Sequence, residues 1–137
     1  MKGRYTFTII KPTAVSQGNA GKIIEFILDH EFTIKGLKKI RMSKLQAESL
    51  YQIHSKKHFF SDLVDFMISG PVYAAILEKE NAVEAYRNII GNATPAEAQA
   101  NTIRNIFGKS TRENAVHGSD SDENAEREIR IFFTEKV

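Results

Sequence analysis

Four runs rich in β-branched and aromatic residues, at 5–10, 33–42, 72–78 and 128–133, lie between stretches whose apolar residues recur at helical spacing. Tyr5-Thr6-Phe7-Thr8-Ile9-Ile10 alternates as a strand does, and Lys11-Pro12 ends it. Residues 18–21 open a helix with Ile23, Ile24, Ile27 and Leu28 on one stripe. Residues 33–42 read as a second strand interrupted at Gly36. Ser43 is placed to cap a helix over about 45–53. Phe59, Leu63, Phe66 and Met67 define another, which Ser69-Gly70-Pro71 stops. Residues 72–78 form a strong third strand. Asn81 caps a helix bearing Val83, Tyr86, Ile89 and Ile90, closed by Gly91. Residues 92–114 are less regular, with Thr94-Pro95 starting a short helix to about Ala100. Glu128 to Phe133 reads as the fourth strand. This order suits an α+β fold: a ferredoxin-like split βαβ sandwich, in which a four-stranded antiparallel sheet is covered by helices on one face.

At 137 residues the chain fits a single domain, residues 1–137. Without cysteine, neither a disulfide nor a thiolate zinc site is available. No apolar run reaches the length of a membrane span, and Met1-Lys2-Gly3-Arg4 does not start a secretory signal, so the expected location is the cytoplasm. The net charge of +2 favours anionic metabolites without demanding nucleic acid. The densest basic cluster, Lys35, Lys38, Lys39, Arg41 and Lys44, reads as a solvated face.

Against this background the run Asn114 to Ser121 stands out, because it sets His117 among small and polar residues just ahead of the fourth apolar run. A nucleophilic histidine needs room for an incoming phosphate, a flexible neighbour such as Gly118, and carboxylates or hydroxyls to fix its tautomer. A surface turn would also accept Gly and Ser. No Gly-x-x-x-x-Gly-Lys-Ser/Thr loop and no protein-kinase signature is present, so a nucleotide enzyme of this sequence needs another phosphate cradle.

Ile10-Lys11-Pro12, Ser69-Gly70-Pro71-Val72, Thr102-Ile103-Arg104 and Asn114 to Ser121 occur in order and at suitable spacing. Together they resemble the nucleoside diphosphate kinase family, in a short bacterial form, over residues 4 to 134. The resemblance implies transfer of the terminal phosphate of a nucleoside triphosphate, typically ATP, to a nucleoside diphosphate. The route is ping-pong through a phosphohistidine, with Mg2+ held mainly by the nucleotide's phosphates. It makes His117 the nucleophile, Glu128 the acceptor that holds the other ring nitrogen, and Ser119 the support of that carboxylate. Lys11, Arg87 and Arg104 would surround the phosphates, as phosphoryl transfer depends on positioning and charge. Tyr51 would bring its hydroxyl to the transferred group. Asn114 and Lys11 would hold the sugar, and Phe59 would stack on the base with Leu63 behind it. Stacking tolerates any base, so broad nucleotide specificity follows. The family's partners imply a homo-oligomer, tetramer or hexamer, with no membrane and no nucleic acid.

Several positions depart from the family pattern. Ala93 falls where a phosphate-contacting threonine is usual, and Thr94 is the substitute next door. Thr111 stands where an apolar residue covers the second face of the base, and His58 replaces a proline before Phe59-Phe60. On residue type alone, Tyr51, Phe59 and Leu63 could be core, and Arg87 could pair with Glu84 along a helix. His30, His54 and His58 match no functional position. The alternative reading is a catalytically weak nucleotide- or nucleic-acid-binding regulator on the same fold.

Overall fold

The computed structural model describes residues 3–134. Its elements run β1 (Tyr5–Ile10), α1 (Pro12–Ser16), α2 (Ala20–Asp29), β2 (Thr33–Ile40), α3 (Lys44–Leu50), α4 (Phe60–Met67), β3 (Val72–Glu78), α5 (Ala82–Ile90), α6 (Ile103–Phe107), β4 (Val116–Gly118) and α7 (Asp122–Phe132). Short 3-10 turns occupy Gln52–His54 and Pro95–Glu97. The strands form one sheet in the order β2-β3-β1-β4, antiparallel throughout. This is the ferredoxin-like α+β arrangement that the alternation of elements foretold.

The sheet is covered on both faces, not on one. The period of two divides β1 and β3 between two cores. Phe7, Ile9, Val72, Ala74 and Ile76 point to Ala47 and Leu50 of α3, Val64 and Met67 of α4, and Phe132 of α7. Ile10, Ala75 and Leu77 point the other way, to Ile23 and Ile27 of α2 and Tyr86 and Ile90 of α5. Central strands buried on both sides carry few polar residues, which is why residues 72–78 are so uniformly apolar.

Residues 128–132 are helical and Phe133 is the C-cap, so the fourth strand expected over 128–133 is overturned. Ser121 caps the helix by accepting the Asn124 N–H at 3.1 Å, and Asp122 and Glu123 sit in its first turn, where the dipole favours acids. From that start Ala125, Glu128 and Phe132 fall on one buried stripe, a helical period that outweighs the strand preference of Ile and Phe. The fourth strand is Val116–Gly118 instead, so His117 lies on a strand and not ahead of one.

Other boundaries shift less. Ser43 does cap α3, in a reciprocal box with Gln46, but that helix stops at Leu50. Asn81 occupies the N-cap of α5 in the left-handed region without a side-chain capping bond. Gly91 closes α5 at φ 86°, and a Cβ there would stand 2.5 Å from the Thr102 Oγ1. The irregular stretch after Gly91 contains only the turn 95–97, and then α6, capped by Thr102. β2 bulges between Ile34 and Gly36, which explains the interruption in its sequence pattern.

Candidate active site

His117 is the middle residue of β4 and pairs with Ile9 of β1. The chain enters β4 through a tight turn at Ala115. Its φ is 79°, the Val116 N–H donates to Asn114 O at 3.0 Å, and the Lys11 N–H donates to Ala115 O at 2.9 Å. Such a turn is rare for a residue with a Cβ and costs on the order of 1–3 kcal/mol. Thr8 Oγ1 donates to the His117 carbonyl at 2.8 Å, and the Tyr86 hydroxyl reaches Thr8 Oγ1 at 2.6 Å. The backbone of the histidine is therefore pinned from the sheet and from α5.

Its ring is pinned as well. Nε2 lies 2.8 Å from Glu128 Oε1, and Ser119 Oγ donates to the same oxygen at 2.6 Å. A carboxylate accepts, so Nε2 carries the proton and Nδ1 keeps the lone pair. Glu128 projects from α7 and is buried. The Tyr51 ring meets the imidazole edge-on at 5.7 Å and 86°, and Phe7 meets it at 6.2 Å. Glu128 thus reaches the ring nitrogen from a helix and not from a strand.

Gly118 serves packing, not flexibility. It has no left-handed backbone conformation, but an added Cβ would stand 2.9 Å from Ile90 Cδ1 and 3.2 Å from Tyr86 Cδ2. Gly118→Ala is expected to destabilise the fold by about 1–3 kcal/mol, as overpacked cores are. Thermal unfolding checks it; an unchanged melting temperature would show that α5 can yield.

The cations gather beside the histidine. Lys11, at the end of β1, is buried; its Nζ donates to Asn114 Oδ1 at 2.8 Å and Arg112 O at 3.3 Å. Burial, with repulsion from Arg104 added, brings its ammonium down to about 7. Arg104 of α6 donates to Gly91 O at 3.1 Å and Val116 O at 3.0 Å, while its buried Nε has no partner among the described residues. Arg87, on α5, is exposed, makes no ion pair with Glu84 among the described residues, and adds its charge to that of Arg104. The Tyr51 hydroxyl is buried without a partner among the described residues. Burial, with the Glu128 charge added, pushes its pKa upward, so it stays a donor. Asn114 is fixed by bonds from its Nδ2 to Ala93 O at 3.0 Å and Thr111 O at 2.9 Å.

The remaining candidates lie at the start of α4 and in the loop after Gly91. Phe60 and Leu63 pack against the core, whereas Phe59 stays half-exposed between His54 and His58, at ring distances of 5.5 and 5.6 Å. His54 therefore belongs to the Phe59 wall, which the sequence did not reveal. Thr94 Oγ1 bonds to Thr111 Oγ1 at 3.2 Å, and the Thr94 N–H donates to Asn92 Oδ1. Arg112 reaches across to Asp62, next to Leu63, at 3.8 Å. The structure thus brings Lys11, Tyr51, Arg104, Asn114, His117, Ser119 and Glu128 together. Arg87 is exposed on α5, Phe59 is half-exposed just ahead of α4, and Thr94 is tied to a neighbouring loop.

The basic cluster is partly spoken for: Lys35 lies 4.0 Å from Glu78, Lys38 sits over Phe133, and Lys39 over Tyr73. A cavity of about 490 Å³, lined by Tyr5, Glu126, Ile129 and Arg130 among others, contains none of the candidate residues. A second cavity, of about 430 Å³, is lined by Arg87 with Asn81, Asp120 and Ser121 among others. No helix among the described residues is long and apolar enough to cross a membrane.

Comparison with known proteins gives a consistent result. A family model described as nucleoside diphosphate kinase matches residues 4–137. A nucleoside diphosphate kinase of Citrifermentans bemidjiense is 51% identical over 130 residues, covering 95% of each chain. That of Lawsonia intracellularis is 49% identical over 130 residues, covering 95% of this chain and 94% of its own. Among solved structures, the Aquifex aeolicus nucleoside diphosphate kinase superposes with a TM-score of 0.92 at 42% identity, covering 94% of each chain. The Encephalitozoon cuniculi enzyme gives 0.95 at 34% identity, covering all of this chain and 92% of its own.

Proposed function

From the chain's membership of the nucleoside diphosphate kinase family, and hence its phosphotransferase activity on nucleotides, we propose how its own residues carry out the transfer, with residues 1–137 acting as one catalytic domain. His117 Nδ1 attacks the terminal phosphorus of a nucleoside triphosphate. The bond to the bridging oxygen breaks, and the departing diphosphate keeps that electron pair. A second diphosphate then attacks the phosphohistidine, and the electron pair returns to Nδ1. The observation that carries this reading is the 2.8 Å contact between His117 Nε2 and Glu128 Oε1, since it leaves Nδ1 as the nucleophile.

Lys11, Arg87 and Arg104 hold phosphate oxygens, the arginines as planar forks and the lysine as a point charge. The Tyr51 hydroxyl and Arg104 Nε, both lacking protein partners among the described residues, suit the transferred group. Asn114 and Lys11 hold the sugar. Phe59, with Leu63 behind it, stacks on the base. Thr94 takes the place of the missing threonine at Ala93, supported by its hydroxyl contact with Thr111. Ser119 acts through Glu128.

The one carboxylate at His117 among the described residues, Glu128, is already taken by the imidazole and the Ser119 hydroxyl, and Lys11, Arg104, Asn114 and the Tyr51 hydroxyl are donors, a set that suits phosphate oxygens better than a bare cation. Magnesium would therefore arrive on the nucleotide. When bound it spreads the charge of the phosphates and favours departure of the diphosphate.

A homo-oligomer, tetramer or hexamer, and residence in the cytoplasm complete the reading. The half-exposed Leu37 on edge strand β2 supports the former, and light scattering reads its mass. The central test is intact mass after mixing the protein with ATP and magnesium, followed by GDP. A gain of one acid-labile phosphate, lost again as GTP appears, is the expected result. Absence of any phosphate gain overturns the phosphohistidine route.

A further inference from the structure

We infer that Arg127 is a positioning residue for phosphoryl transfer, holding Glu128 and the backbone that leads into Tyr51 with a single guanidinium. The inference rests on the roles of His117 and Glu128 proposed above. Arg127 projects from α7, and its Nη1 donates to Ser49 O at 2.8 Å. Nη2 lies 3.4 Å from Leu50 O and 3.7 Å from Glu128 Oε2, and Nε donates to Asn124 Oδ1 at 3.4 Å.

Both ends of this span matter. Ser49 and Leu50 are the last residues of α3, and Tyr51 is its C-cap. Carbonyls at a helix end lack partners within the helix, and a cation there is favoured. The Tyr51 hydroxyl has no partner among the described residues, so its position is set by ring packing and by the backbone Arg127 grips. At the other end, Glu128 Oε1 already takes the His117 Nε2–H and the Ser119 hydroxyl. Its Oε2 faces Arg127. A carboxylate engaged at both oxygens cannot turn without withdrawing its acceptor from the histidine. Glu128 is 5% exposed and Arg127 28%, so bulk solvent screens this pair less than a surface one. A lysine could supply the charge near Glu128 but not the fork that reaches α3 at the same time.

The test is the single-turnover rate of protein phosphorylation at saturating ATP and magnesium, with the KM for ATP measured beside it. Arg127→Gln is expected to lower the rate about tenfold and leave the KM within about twofold, the pattern of a group that acts on the transition state. Arg127→Lys is expected to lose about threefold or less, since it keeps the charge. In a Glu128→Gln background the Arg127→Gln change is expected to cost about threefold or less, because coupled residues are not additive. A parental rate in Arg127→Gln overturns the inference. So does a lysine variant as slow as the glutamine one, or a full tenfold loss in the Glu128→Gln background. Locating the phosphate on His117 of the parent by fragmentation mass spectrometry tests the underlying reading separately.

Discussion

Replacing His117 with alanine is expected to abolish phosphate exchange, lowering turnover by at least about four orders of magnitude, while nucleotide binding persists. The cations are not touched: Lys11 stays tied to Asn114, and Arg104 to Gly91 and Val116. Nor is a lone charge left behind, because Glu128 keeps its Ser119 bond and its Arg127 neighbour. The variant should therefore fold. Calorimetric titration with ADP and a coupled turnover assay separate the two properties. Retained turnover would show that phosphate does not pass through this imidazole.

The second large effect concerns Lys11 and has opposite signs for activity and stability. Lys11→Met is expected to lower kcat/KM by about two to three orders of magnitude, since an electrostatic contact to the phosphates is lost. The same change should stabilise the nucleotide-free protein near pH 6. Burial, with Arg104 nearby, brings the folded pKa of Lys11 to about 7 from 10.5. Between these values the unfolded chain holds a proton that the folded chain lacks, so this group makes stability rise with pH across that window. Below pH 7 the folded state carries a buried cation with no carboxylate partner among the described residues, and the penalty is full. Melting temperatures of parent and variant should thus differ most at pH 6 and converge towards pH 10. Parallel curves would show that Lys11 is solvated better than its 5% exposure indicates.

The sequence made much of this visible because several signals are local. The alternation in 5–10 and the apolar run 72–78 marked the two central strands, and Ser43 marked the start of α3. Motif order pointed to the candidate site, and His117, Ser119 and Glu128 do meet, although Glu128 comes from a helix. The error at 128–133 has a physical cause. Ile129, Ile131, Phe132 and Phe133 favour strands locally, yet Ser121-Asp122-Glu123 begins a helix whose buried stripe packs on the sheet. β4, three residues long, is too short to show any period. Contacts between distant residues left no local trace. Thr8 under the His117 carbonyl, Arg127 across α3 and the pairing of Arg112 with Asp62 all join parts of the chain that only the fold brings together.

The pinned histidine has a kinetic consequence. Its carbonyl is held by Thr8 and its ring by Glu128, so the proposed nucleophile cannot swing between a loading and an unloading station. Two nucleotides that use one immobile imidazole must take turns in one cleft. A diphosphate that lands on the empty enzyme occupies the seat of the next triphosphate and forms an abortive complex. Excess acceptor should therefore slow the cycle it feeds. The balance between diphosphate and triphosphate, more than the abundance of either, then sets how often the histidine is charged.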